Sequence, residues 1–106
     1  MFLFTFYVPV DSVEAVKNAV FKAGAGKIGN YDSCCWMVLG QGQFKPLEGS
    51  NPYLGTENEI VSVEEYKVEM VCCEEVAQDV LTAFKKAHPY EEPAFCFVKI
   101  VDVKDF

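Results

Sequence analysis

Four segments of the chain have the periodicity and composition of β-strands. From Phe2 to Val8 the even positions are all Phe or Val, and Pro9 ends the run. Alternation of this kind predicts a strand with one buried face. Three further strands are predicted for SCCWMVLG at residues 33–40, VSVEEYKVEMVCC at residues 61–73 and FCFVKIVDV at residues 95–103.

Two other segments repeat their apolar residues at helical spacing. The first has four residues on one face: Val13, Val16, Val20 and Phe21. Asp11 and Glu14 predict a capping box with Asp in the place of the usual Ser or Thr, and Gly24 can end the helix in a left-handed conformation. The second segment, EEVAQDVLTAFKKA at residues 74–87, turns its apolar residues to one side and has acidic residues in its first turn.

These elements follow one another in the order β-α-β-β-α-β. Right-handed crossovers then place the strands in the order 4-1-3-2, all antiparallel, with both helices on one face. The sequence therefore predicts an α+β fold, the ferredoxin-like sandwich, as one domain over residues 1–106. The segment from Gln41 to Glu59 is rich in Gly, Pro and Asn, and it is predicted to be a long loop of the kind that often carries function.

The second and fourth predicted strands are apolar on both faces. In the second strand, Trp36 and Val38 share one face, and Met37 and Leu39 share the other. Two helices can cover only one face of the sheet, and antiparallel sheets with a solvated face normally alternate cleanly. We therefore expect the other face to be covered by the long loop or by a second subunit, and we prefer self-association.

Composition and charge narrow the classes of function. The net charge is −7 and no basic stripe offsets it, so binding to the phosphate backbone of a nucleic acid is not expected. The apolar start, MFLFTFYVPVDS, lacks a basic region and reaches charged residues too soon for a signal peptide or a membrane span. We expect neither a nucleic-acid partner nor a membrane partner.

Four of the five cysteines form two adjacent pairs, Cys34-Cys35 and Cys72-Cys73. An odd count and adjacent pairs do not suggest a disulfide framework, so we expect a reduced protein of the cytoplasm. Neighbouring residues on a strand point to opposite faces, which is poor chelating geometry. We interpret the cysteines as small buried hydrophobes, and a soft-metal cluster that includes Cys34 and Cys72 is the alternative.

The stretch AHPYEEPAF contains the only histidine, His88. One interpretation is structural, because His88 lies near the last carbonyls of the second helix and Pro89 ends that helix. The other is chemical: His88 with Glu91 or Glu92 would bind a divalent metal ion, the one cofactor that the sequence suggests. The cysteine pairs lie at the other end of strands about 26 Å long, so they cannot share this metal within one subunit.

Three longer stretches together resemble one family. They are GKIGNYDSC at residues 26–34, GQFKPLEGSNPYLG at residues 42–55 and AHPYEEPAF at residues 87–95. They resemble the domain inserted into the Nif-three-like proteins, also called the YqfO/YbgI family, and the resemblance extends over nearly the whole chain. It implies a fold similar to the PII signalling proteins and to CutA, a small trimeric protein linked to divalent-cation tolerance. A homo-oligomer is therefore expected, with a trimer preferred and a dimer as the alternative.

The resemblance also implies a ligand site for sensing or gating. The positions that carry over from the family's motifs are Gly29 to Tyr31, the loop Gly42 to Gly55 and the stretch His88 to Glu91. The ligand-binding residues expected among them are Gly29, Asn30, Tyr31, Phe44, Pro46, Asn51, Pro52 and Tyr90. In the long members the insert interrupts a dinuclear-metal domain that is named GTP cyclohydrolase-like. One histidine cannot supply the ligands of that domain, so we interpret the chain as a stand-alone insert and expect no cyclohydrolase activity.

Three functions follow from these expectations. The preferred one is a non-catalytic PII/CutA-like module that acts as an oligomer and senses a small ligand or a divalent metal. The second is a structural domain that docks on a separate protein partner. The third is an enzyme in which His88 or Glu91 serves as a general acid or base, although one His and two Glu are few polar groups for catalysis.

Overall fold

The computed structural model describes residues 1–106, with every side chain except that of Val103. Its strands and α-helices are β1 (Phe2–Pro9), α1 (Val13–Lys22), β2 (Trp36–Phe44), β3 (Val61–Cys72), α2 (Ala77–Ala87) and β4 (Phe95–Lys99). Short 3₁₀ turns lie at Val10–Ser12, Glu74–Val76 and Val103–Asp105. The element order is the predicted β-α-β-β-α-β.

The four strands form one antiparallel sheet in the order β2-β3-β1-β4. This order confirms the predicted 4-1-3-2 arrangement. β1 pairs with both β3 and β4, so the N-terminal strand lies in the middle of the sheet. The most regular alternation in the sequence thus belongs to a strand with neighbours on both sides, where one face is fully buried.

The hydrophobic core lies between one face of the sheet and the two helices. Phe4 and Phe6 of β1 are fully buried, and their rings lie 5.3 and 5.1 Å from the ring of Phe84 in α2. Val16 of α1 and Val68 of β3 belong to the same buried cluster. Each of these side chains contributes about 1.5–3 kcal/mol by leaving water, so the predicted inward positions hold the helices on one face.

Several predicted boundaries differ from those of the structure. β2 begins at Trp36 and continues to Phe44, so the loop between β2 and β3 spans residues 45–60 and is shorter than predicted. Gln41 and Gln43 pair with β3 although they are polar, because this part of the hairpin is exposed and its pairing depends on the backbone alone. β4 ends at Lys99, and the predicted strand to residue 103 was too long.

The predicted capping box at the start of α1 was wrong. Asp11 lies inside a 3₁₀ turn, and the helix begins only at Val13, with no side-chain hydrogen bond at the cap residue Ser12. The carboxylate of Asp11 accepts from the hydroxyl of Ser12 at 3.5 Å instead. The end of the helix is as predicted, because Gly24 follows it with a φ of +116°.

The sheet has two distinct ends. The loop end carries residues 45–60 and 88–94, and the cysteine end carries residues 24–35 and the start of the turn after β3. Between them, the nine residues of β2 rise about 3.3 Å each, so the two ends lie about 26 Å apart. A group at one end cannot contact a group at the other end of the same chain.

The face of the sheet opposite the helices, which we call the open face, remains largely exposed. Trp36 and Val38 of β2 are 71% and 50% exposed, and Val98 of β4 is 50% exposed. Lys67 and Glu69 of β3 form an ion pair of 3.8 Å on the same face. Among the described residues, the long loop covers only the part of this face that lies at the loop end.

The five cysteines are free thiols with different environments. Cys72 is buried, and burial raises the pKa of its thiol, as expected for a small hydrophobe. Cys34 and Cys35 are half-buried, and Cys73 and Cys96 are exposed, so the interpretation as buried residues holds fully for Cys72 alone and was wrong for Cys73. No helix within the described part of the chain has the length and apolarity that a membrane span requires.

Candidate functional site

A cavity of about 300 Å³ lies at the loop end, between the long loop and the open face. Its floor comes from β1, β2 and β3 through Tyr7, Phe44 and Glu65. The long loop forms one wall, and residues 90–94, which follow α2, form the other. The cavity therefore combines β1, the hairpin of β2 and β3 with its loop, and residues 90–94, three regions that are far apart in the sequence and are brought together by the sheet order.

Two hydrogen bonds hold the long loop over the sheet. The buried Pro46 accepts the backbone N–H of Asn58 at 2.7 Å, which closes the loop on itself. The carboxylate of Glu91 accepts the backbone N–H of Asn51 at 2.8 Å, which ties the loop to the segment after α2. Because Glu91 is bound in this way, the two walls of the cavity are linked directly.

His88 is the residue at which α2 ends, and its ring is almost fully buried, with 5% of the residue exposed. The backbone N–H of Tyr90 donates to Nδ1 at 3.1 Å, so Nδ1 carries no proton. Nε2 then carries the proton and donates it to the carbonyl of Tyr7 at 2.8 Å. Burial lowers the pKa of His88, and the hydrogen bond to Tyr7 only partly offsets this effect.

The ring of His88 therefore joins β1 to the segment that forms one wall of the cavity. The predicted role at an exposed helix end was wrong in detail, because the ring bonds to Tyr7 and Tyr90 and not to the last carbonyls of α2. Both ring nitrogens have partners, so a metal ion would have to displace one of them. The metal site of His88, Glu91 and Glu92 stays a prediction.

The donor groups around these residues do not form a cluster of metal ligands. Among the described residues, no group of three or more His, Cys, Asp or Glu side chains has an arrangement that could hold a metal ion. Cys34 and Cys72, the alternative soft-metal ligands, are not part of such a group either. Glu91 and Glu92 belong to the lining of the cavity instead.

Tyr90 is the central side chain of the cavity. Its hydroxyl donates to the carboxylate of Glu65 at 3.0 Å, and its ring lies 5.8 Å from that of Phe44 and 6.2 Å from that of Tyr53. Burial raises the pKa of Tyr90, and the hydrogen bond to Glu65 raises it further. The hydroxyl therefore stays protonated and keeps its bond to Glu65 at physiological pH.

The position of Glu65 depends on a glycine in the neighbouring strand. Gly42 lies beside Glu65, and a Cβ added at Gly42 would overlap the Glu65 carboxylate. The absence of a side chain at this point leaves room for the carboxylate on the open face. Glu65 thus has a defined place between Gly42 on one side and the hydroxyl of Tyr90 on the other.

The structure separates the predicted ligand-binding residues into two groups. Phe44, Pro46, Pro52 and Tyr90 line the cavity, and Asn51 borders it through its backbone bond to Glu91. The remaining three, Gly29, Asn30 and Tyr31, lie at the cysteine end, where Ile28 and Tyr31 close a tight turn and the Tyr31 side chain is 75% exposed. Within one chain, the eight residues do not form a single site.

Sequence reasoning missed Tyr7 and Glu65 of the cavity, and it did not single out Tyr53 and Leu54 within the long loop. A usable signal was present for Glu65, which lies opposite Gly40 and diagonally across from Gly42 of β2, two positions without a side chain. A carboxylate beside glycines has open space next to it, in which a partner from another segment can lie. The three others carry no local pattern that connects them, because they meet only in the folded chain.

The comparisons with known proteins agree with the resemblance seen in the sequence. No family model matches this chain. A protein of Mycobacterium leprae named GTP cyclohydrolase 1 type 2 homolog is 48% identical over 95 residues, which cover 90% of this chain and 25% of that protein. The chain thus spans about a quarter of the length of the curated relatives it matches.

Solved structures give the same result for the fold. A Bacillus cereus protein related to NIF3 has a TM-score of 0.81 at 34% identity, and the match covers 95% of this chain and 26% of that chain. The periplasmic divalent cation tolerance protein CutA of Archaeoglobus fulgidus has a TM-score of 0.68 at 16% identity, covering 98% and 88% of the two chains. The chain is therefore homologous to one segment of the NIF3-related proteins, about a quarter of their length, and it has a PII/CutA-like fold.

Proposed function

We propose that this domain is a non-catalytic binding module whose small-molecule site is the cavity at the loop end. The observation that carries the proposal is the cavity itself, about 300 Å³ in volume and lined by aromatic rings with a few converging polar groups. Small-molecule sites in proteins have this size and this mixture of walls. The loop that closes the cavity is linked to the segment after α2, so a ligand that contacts the loop would stabilise both walls.

The absence of catalysis is part of the proposal. Both nitrogens of His88 are used in bonds that hold the cavity together, so neither is free to act as a general base. The hydroxyl of Tyr90 is a weak acid because its pKa is raised. The name GTP cyclohydrolase belongs to proteins about four times as long, and we do not propose that activity for this segment.

We also propose that the domain associates with copies of itself through the open face. Trp36, Val38 and Val98 are exposed there, and apolar area of this kind on a sheet face favours an interface. The face also carries one charge of each sign in the Lys67–Glu69 ion pair. The preferred assembly is a trimer, and a dimer is the alternative. Five free thiols fit a reducing compartment, and we propose a cytoplasmic location.

A substitution that fills the cavity tests the binding proposal. Ala94 lines the cavity, and its side chain takes no part in the backbone bond between its carbonyl and the N–H of Tyr7. Ala94→Trp is expected to fill the space and abolish binding of any metabolite that raises the melting temperature of the wild type in a ligand screen. Ala15→Trp, at an exposed position of α1, is the control and should bind like the wild type. A ligand that binds Ala94→Trp as tightly as the wild type would contradict the proposal.

A further inference from the structure

The walls of the cavity carry charge of one sign. Three carboxylates line it, those of Glu65, Glu91 and Glu92, and the described lining includes no Lys or Arg. The charges of Glu65 and of the nearby Asp11 both raise the pKa of Tyr90, which agrees with a negative potential in this space. A cavity with low-dielectric walls and charge of one sign concentrates ions of the opposite sign.

Four of the ten other lining residues are aromatic. Tyr7, Phe44, Tyr53 and Tyr90 all line the cavity, and the ring centroids of Phe44 and Tyr53 lie 5.8 and 6.2 Å from that of Tyr90. The face of an aromatic ring attracts a cation within about 6 Å of its centroid. Carboxylates and aromatic faces therefore favour the same kind of ligand group.

Glu65 has capacity for a further hydrogen bond. Its carboxylate accepts one bond from the hydroxyl of Tyr90, and an ionised carboxylate has about four lone-pair sites. Hydrogen bonds between an ammonium group and a carboxylate are about twice as strong as those between neutral groups. The carboxylate occupies the space that a side chain at Gly42 would take.

We propose that the ligand of this cavity is a small organic ammonium ion with an apolar body. The ammonium group donates to Glu65 and lies against the aromatic rings, and the apolar body contacts the long loop through Pro52 and Leu54. This inference rests on the proposed function and adds the chemical class of the ligand. It disfavours phosphate-bearing ligands, GTP included, because three carboxylates would face the phosphates.

Isothermal titration calorimetry with four probes that share a phenylethyl group tests the inference. The probes are phenethylamine, its N,N,N-trimethyl derivative, phenethyl alcohol and 3-phenylpropionate, and GTP serves as a fifth probe. Both ammonium ions are expected to bind more tightly than the alcohol. Phenylpropionate and GTP are expected to bind more weakly than the alcohol.

Glu65→Gln tests whether the carboxylate of Glu65 binds the ammonium group. The variant keeps an acceptor for the hydroxyl of Tyr90, and its expected effect is a loss of about tenfold in affinity for phenethylamine, or about 1.4 kcal/mol. Its affinity for phenethyl alcohol should be unchanged. Glu75→Gln, an exposed residue near the cysteine end, is the matched control and should bind every probe like the wild type.

The outcomes separate this inference from the proposed function. Tighter binding of phenylpropionate or GTP than of the ammonium ions would overturn the inference, and so would failure of both ammonium ions to bind. If Ala94→Trp then abolishes binding of a neutral or anionic ligand, the cavity remains a binding site for a different class of molecule. Equal affinity of Glu65→Gln and the wild type for phenethylamine would also overturn the inference.

Discussion

His88 is a structural residue whose protonation state matters for stability. Its ring is buried and neutral, with Nε2–H donating to Tyr7 and Nδ1 accepting from Tyr90. Both bonds require this tautomer, because a protonated ring has no acceptor for the N–H of Tyr90. The two bonds that His88 makes at the loop end therefore depend on pH.

The stability of the wild type is expected to fall as the pH decreases below about 6.5. The pKa of His88 in the folded chain lies below its unfolded value of 6.5, so over this range the unfolded chain binds a proton that the folded chain does not. The slope approaches about 1.4 kcal/mol per pH unit. Urea unfolding at several values between about pH 7 and pH 5 measures it.

His88→Gln is the control for this slope. The variant loses stability at every pH, by about 1–3 kcal/mol, because it disturbs two buried hydrogen bonds. Its stability should change less than that of the wild type between about pH 6.5 and pH 5, and equal slopes would contradict the assignment. Repeating the unfolding with zinc tests the metal hypothesis, since an equal zinc-induced shift in both proteins would exclude His88 as a ligand.

At the scale of the elements, the end of α1 depends on Gly24. Its φ is +116°, and a Cβ added there would lie 3.2 Å from Cγ1 of Val76, a residue packed against the core. Gly24→Ala is expected to destabilise the fold by about 1–3 kcal/mol, the usual range for a side chain held in a strained backbone conformation.

Gly40→Ala is the matched control for Gly24→Ala. Gly40 lies in β2 outside the left-handed region, and the nearest atom to an added Cβ is 4.0 Å away. Thermal unfolding of both variants should show a clear loss only for Gly24→Ala. A loss of stability of the same size at both positions would mean that the backbone conformation of Gly24 does not cause it.

The elements themselves could be predicted because each has a local pattern. The alternation from Phe2 to Val8 and the helical spacing of Val80 and Phe84 follow from burial on one face, which acts within each segment. The extension of β2 to Phe44 could not be read from the glutamines and glycines that form it, because their pairing with β3 depends on the backbone. The capping box failed because Asp11 was taken into a 3₁₀ turn.

The site was less predictable than the fold. Phe44, Pro46, Pro52 and Tyr90 lie in segments whose motifs are specific, and they do line the cavity. The pairing of Glu65 with Tyr90 joins residues 25 positions apart, and it arises from the sheet order and the way in which the loop folds back. No periodicity within one segment contains that information.

At the scale of the whole molecule, self-association through the open face can be tested directly. Sedimentation velocity of the wild type at micromolar concentration is expected to show an oligomer, with a trimer preferred. Replacing both Trp36 and Val38 by Lys should yield a monomer, because two charges would have to be buried in the interface. Leu47→Lys, in the exposed loop, is the control. A monomeric wild type would contradict the proposal.

Trp36 is the only tryptophan of the chain, and it lies on the open face. All indole fluorescence of the protein therefore originates from that face. Emission from an isolated chain comes from an indole in water, whereas an indole covered by another copy would emit at shorter wavelength and be shielded from quenchers such as iodide. Trp36 is thus an intrinsic fluorescent probe of the open face. Its emission, measured while the protein is diluted, would report dissociation of an oligomer without any added label.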